Sequence, residues 1–132
     1  MLDKINALII EMGLEAPTSN LLEIILRDVK RETKARLNRT DLPEGLNRYI
    51  IKQVLGRYLT LRIATEPDFA TNADIDKMVN ATKLSLGDMS IEFDTSNKTV
   101  ANMSAVEKLQ MFADKLMEAD HTILNVYRKL RW

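Results

Sequence analysis

The chain has 132 residues, 45% of them apolar and 29% charged, with equal numbers of basic and acidic side chains and no cysteine. That length suits one domain around one core, and the scarcity of aromatics makes the core aliphatic. The missing cysteines exclude disulfides, thiol catalysis and Cys-based metal sites, and no apolar run approaches the roughly 20 residues that span a bilayer.

The zero net charge hides an uneven distribution. Residues 1–26 sum to about −3, 27–62 to about +6, 66–94 to about −5 and the remainder to about +2. A duplex-binding protein carries a clear basic excess, which is absent here. Blocks of opposite sign suit self-association, one copy's basic part facing another's acidic part; solvated faces that happen to differ are the plainer reading.

In chain order, residues 3–12 place Ile5, Leu8, Ile9 and Met12 on one helical face, with Gly13 as a natural stop. The acids Asp3 and Glu11 and the lack of a small-residue cleavage site set this segment apart from a signal peptide. A second helix follows, with Asn20 as cap and Glu23 completing a capping box. Its stripe is Leu22, Ile25, Leu26, Val29, Thr33 and Leu37. Its other side gathers Arg27, Arg31 and Lys34 at spacings of four and three, with Lys30 beside them.

Pro43 opens a third helix over 44–63. Leu46, Ile50, Val54 and Leu61 fall close to one face, which Ile51, Leu55 and Tyr58 widen. Gly56 costs this helix about 1 kcal/mol relative to Ala and marks either a close crossing, a bend or simple tolerance. Residues 64–80 are acidic and interrupted by Pro67, and read as a mobile loop in which "ADIDKMV" has room for one or two helical turns.

The stretch "LSLGDMSIEFD" then alternates apolar and polar residues about Gly87-Asp88, the pattern of a β-hairpin over about 82–94. A type II′ turn sets Leu86 opposite Met89, Leu84 opposite Ile91 and Thr82 opposite Phe93 on an apolar face. Lys83 pairs with Glu92 on the polar one. Leu84, Leu86, Met89, Ile91 and Phe93 are worth roughly 1.5–3 kcal/mol each if fully buried. They therefore cover either the chain's own helices or a neighbouring subunit. A final helix begins at the capping box Ser104 and Glu107 and carries Val106, Leu109, Ala113, Leu116, Ile123, Tyr127 and Leu130 in a three-four repeat. Asp120 interrupts that repeat, either because solvent reaches it or because the helix leaves the core there. The fold class is mainly α: about four helices in a small bundle with one hairpin.

Catalytic and metal motifs are absent. The one histidine, His121, stands beside Asp120 in a helix, where adjacent residues point about 100° apart. The acids of 66–76 lack an EF-hand's spacing, and no phosphate-cradling glycine loop or zinc-ligand pair occurs. The expectation is a protein with no enzymatic activity and no cofactor. Arg27, Arg31 and Lys34 offer a face for phosphates or merely a solvated one. The C-terminal "YRKLRW", with Tyr127, Arg128, Arg131 and Trp132, has the residue types of an interface hot spot, although a terminal tryptophan can also tuck back onto its own core.

The residues Leu42, Pro43, Leu46, Ile50, Val54, Arg57 and Tyr58, followed by Ser85, Gly87, Asp88, Ser90 and Phe93, give the chain a family likeness. In this order it resembles the head-tail connector proteins of long-tailed bacteriophages, the adaptor or head-completion proteins beneath the portal. The likeness spans most of the chain on short motifs, and the acidic stretch 64–80 exceeds the family's usual linker. It implies a non-enzymatic virion protein, assembled in the bacterial cytoplasm, whose copies form a ring. That ring would contact the portal protein and a stopper or tail-completion protein, extend the DNA channel, touch passing DNA weakly and involve no membrane. Residues 82–94 and 127–132 then become contact candidates, and Arg27, Arg31 and Lys34 channel-lining ones. The competing expectation is a small helical nucleic-acid-binding regulator.

Overall fold

The computed structural model describes residues 2–14, 19–66, 68–69, 74–86, 104–118 and 121–128. They form six α-helices: α1 (Leu2–Glu11), α2 (Ser19–Leu37), α3 (Asn47–Thr65), α4 (Ile75–Leu86), α5 (Ala105–Met117) and α6 (His121–Tyr127). A 3-10 turn, Glu44–Leu46, leads into α3. No strand occurs among the described residues. The mainly α class is therefore observed.

Helix α3 is the spine. Ile50, Ile51, Val54, Leu55, Tyr58 and Leu59 are buried on several sides of it, the pattern of a helix enclosed by others. α5 lies along one side of α3, in the most extensive helix pairing of the fold, and α2 along another. α4 packs on α1 and α5, and α6 returns to α2. One apolar cluster draws on every helix, from Ile5 through Leu22, Ile50, Met78 and Phe112 to Leu124. The α2 stripe lies in the core as its spacing requires, whereas Leu61 of α3 is exposed.

Gly56 answers to the close crossing. A Cβ there would lie 2.8 Å from the Ala113 carbonyl oxygen and 2.3 Å from Met117 Cγ. The small residue lets α3 and α5 approach backbone to side chain. Gly13 has φ +84° and ends α1 in a Schellman motif, its N–H donating to Ile10 O at 2.9 Å and that of Leu14 to Ile9 O at 3.2 Å. Asn38, at φ +54°, ends α2 the same way: its N–H donates to Ala35 O and that of Arg39 to Lys34 O.

Two expectations need correction. The strand expected over 82–86 is helix, completing α4. Asp74 starts α4 by accepting the Lys77 N–H at 3.2 Å. Met78, Ala81 and Thr82, at helical spacing, are buried, and the Thr82 hydroxyl donates to Met78 O at 2.8 Å. A capped helix with a buried stripe outcompetes an isolated two-stranded ribbon, which is marginal in water. The alternation of Leu84 and Leu86 is too short to distinguish the two periods. The rest of the expected hairpin, 87–94 with Met89, Ile91 and Phe93, lies outside the described residues.

Within the expected loop 64–80, α3 runs to Thr65 and α4 begins at Ile75, in the stretch that has room for helical turns. Finally, the C-terminal helix is two helices. Glu118 leaves α5 at φ −59°, ψ 127°, just before Asp120, the polar residue in the apolar repeat. Breaking after Met117 lets a separate α6 bury Leu124. The serine half of the expected box caps α5, Ser104 Oγ accepting from the Glu107 N–H at 3.2 Å. On α2, Asn20 lies inside the first turn rather than ahead of it.

Candidate functional site

Tyr49, Gln53 and Arg57 of α3 fall one turn apart, on the side that meets α2. With Val29, Glu32, Thr33 and Arg36 they line a groove of about 320 Å³, at the small end of ligand-binding clefts. Thr33 is buried and donates its hydroxyl proton to Val29 O at 2.7 Å. Gln53 is buried too, and its Nε2 donates to Met117 O at 2.7 Å. That carbonyl is one of the four that the end of α5 leaves without an intrahelical partner. Gln53 thus joins the groove floor to the α3–α5 crossing.

Two guanidinium groups stand over this floor. Arg57 is hydrogen-bonded to Glu32. This bond holds the Glu32 carboxyl below the ordinary carboxylate range, against the upward push of burial, with the charges of Arg57 and Arg31 adding to it. The same bond raises Arg57. Arg36 Nη1 donates to the Tyr49 hydroxyl at 3.4 Å and has no carboxylate partner among the described residues. Because the Tyr49 oxygen accepts from Arg36, its own proton remains available to an incoming acceptor. Two cations, one engaged carboxylate and the phenol hydroxyl leave the groove with one positive charge in excess. The lining residues contain no nucleophile with an adjacent base.

A second constellation closes the far end of α3. Arg62 donates to the Tyr58 hydroxyl at 2.8 Å and to Glu66 at 2.5 Å, and its guanidinium lies 4.3 Å from the Phe69 ring centroid, a cation–π contact. Burial alone would lower its pKa; the bonds to Glu66 and Tyr58 outweigh that and raise it. The Phe69 N–H donates to Glu66 O at 3.2 Å. Glu66 and Phe69 are therefore clamped to the end of the helix.

Of the residues singled out from sequence, Arg27 and Arg31 sit on the outer face of α2, each 73% exposed, and flank Asp28 at 3.9 and 3.3 Å. Lys34 is half-buried. They do not line the groove; Arg36 and Arg57 do, and because α3 also carries Arg48, Lys52 and Arg62, the spacing of Tyr49, Gln53 and Arg57 does not single the groove out in the sequence. Leu84 is 89% exposed at the end of α4, while the side chain of Leu86 is outside the described set. Tyr127 is half-buried against Gly45, and its carbonyl accepts from Arg39 Nη1 at 3.0 Å. Arg128 is exposed; Arg131 and Trp132 lie outside the described residues. No cluster of three metal-ligating side chains occurs among the described residues, and none of their helices is long and apolar enough to cross a membrane.

Compared with family models, with curated proteins and with solved structures, the chain matched none.

Proposed function

We propose that the protein is a non-enzymatic structural component of a bacteriophage neck, forming a ring beneath the portal that joins the DNA-filled head to the tail and extends the DNA channel. The observation that carries this reading is the position of the residues behind the connector resemblance. Leu46, in the turn that leads into α3, and Ile50, Val54 and Tyr58 along it are buried, so the helical half of the likeness falls on the spine of the fold, while of its second half Ser85 belongs to α4 and the rest lies outside the described residues. A rigid helical block with an anion-receiving groove on one side and a clamped acidic turn at the end of its spine suits a subunit that meets copies of itself.

In this reading the exposed end of α4 with Leu84, and the chain beyond Tyr127, are the contacts for portal and for the stopper or tail-completion protein. Arg27 and Arg31, each beside Asp28, touch passing DNA weakly. Weak contact is what a conduit requires, since tight phosphate binding would hinder passage.

The test is genetic and microscopic. Interrupting the gene in the phage that encodes it yields filled heads and free tails that do not join, and restoring the chain in trans rejoins them. Mass spectrometry of intact virions finds the chain in multiple copies. Infectious, joined particles made without it, or its absence from virions, overturns the proposal.

A further inference from the structure

The groove and the clamped turn lie on the same helix and carry opposite charge. From Gln53, in the middle of the groove, to Glu66 the chain rises about 20 Å along α3 at 1.5 Å per residue. The two features are held apart by a rigid rod, and the acidic turn cannot fold back into its own groove. Both are also fixed before any encounter. The groove is set by Arg57–Glu32, Arg36–Tyr49 and Gln53–Met117, and the turn by Arg62 against Glu66 and Phe69. Asp68 stands exposed in that turn without an ion pair among the described residues. It sits beyond the C-terminus of α3, where the helix's own dipole adds negative potential.

We propose that Asp68 of one copy seats its carboxylate in the α2–α3 groove of a second copy, between Arg36 and the Tyr49 hydroxyl. Glu32 faces the same groove and opposes an incoming acid, but its charge is engaged by Arg57, and the groove keeps one cation in excess. The contact joins two different patches. It is heterologous and repeats from copy to copy, closing into a ring when the rotation permits. It supplies the proposed ring with its subunit contact and rests on that reading, yet self-association can be tested without portal or phage.

Sedimentation velocity of the whole chain at high concentration follows association at about 0.02 M and about 0.5 M salt, across which charge screening changes several-fold. Association is expected at low salt and much weakened at high salt. Arg36→Glu and Asp68→Arg each weaken it by about tenfold or more, and Glu32→Gln strengthens it. Mixing the first two variants restores association. In the mixture, the intact groove of the Asp68→Arg chain receives Asp68 of the other. The reversed groove of that other chain receives the new arginine. Circular dichroism checks that each variant folds, and Arg36→Gln replaces Arg36→Glu should the latter not. A chain that stays monomeric at low salt, variants that associate as the wild type does, or a mixture that stays apart overturns the contact. If copies nevertheless ring the portal in particles, the connector reading stands and only the groove assignment falls.

Discussion

At the level of single residues, Gly56 sets the distance between the two most extensively packed helices. Alanine is the better helix former by about 1 kcal/mol, so propensity alone makes Gly56→Ala stabilising. The added methyl would meet the Ala113 carbonyl, a backbone atom, at 2.8 Å, and overpacking of this kind costs about 1–3 kcal/mol. Met117 can swing away; the carbonyl cannot. The expected outcome is a net loss of about 1 kcal/mol or more, read from urea unfolding midpoints. Glu32 gives a pH-dependent counterpart. Its folded-state pKa is depressed, so its contribution is fully present above the unfolded glutamate pKa and is lost as pH falls through the lowered folded value. With the side chain 55% exposed, solvent screening limits that contribution to about 1 kcal/mol or less. Wild type should therefore exceed Glu32→Gln in stability at neutral pH, and the gap should close only below the ordinary carboxylate range, as followed by thermal melts across an acid series.

At the level of elements, the acids between α3 and α4 have separate tasks despite their similar appearance in the sequence. Asp74 caps α4, and Asp74→Ala should cost about 1 kcal/mol. Asp68 is exposed outside any helix, and Asp68→Ala should stay within about 0.5 kcal/mol of wild type. Chemical denaturation of both variants separates the cap from the charge. The same comparison shows what was legible from sequence. Long stripes were: the α2 pattern from Leu22 to Leu37 describes a real element, because many residues agree on one period, and Ser104 caps α5 where its sequence position suggests. Short or mixed signals were not. Leu84 and Leu86 alternate over too few positions to oppose the buried stripe Met78, Ala81, Thr82, and in the sequence nothing sets the aspartate that starts α4 apart from the neighbouring acids. The break after Met117 shows in the sequence as the polar interruption at Asp120. The groove was illegible for a different reason: it needs two helices in register, and Arg36 and Arg57 are far apart in the chain until α2 and α3 pack.

At the level of the whole molecule, burial is graded from the spine outward. Amides of α3 around Ile50–Leu59 sit among the most buried side chains and between two helices. α6 has seven residues, buries Leu124 and leaves Val126 exposed. Local opening follows such gradients. Amide hydrogen exchange should show α3 and α5 protected up to the global unfolding free energy and α6 exchanging through a cheaper, separate opening. Equal protection of both would contradict the hierarchy of packing.

The bond from Arg39 to Tyr127 fastens α6 by a main-chain carbonyl, a group that every residue type supplies. Arg39 is itself braced by a bidentate pair with Asp41, both contacts at 3.1 Å. The address at which the last helix docks is thus written partly in backbone rather than in side-chain identity. Substitutions at 127 forfeit the ring's packing on Gly45 but keep the mooring, and whatever is fused after Arg128 departs from the same berth beside the end of α2.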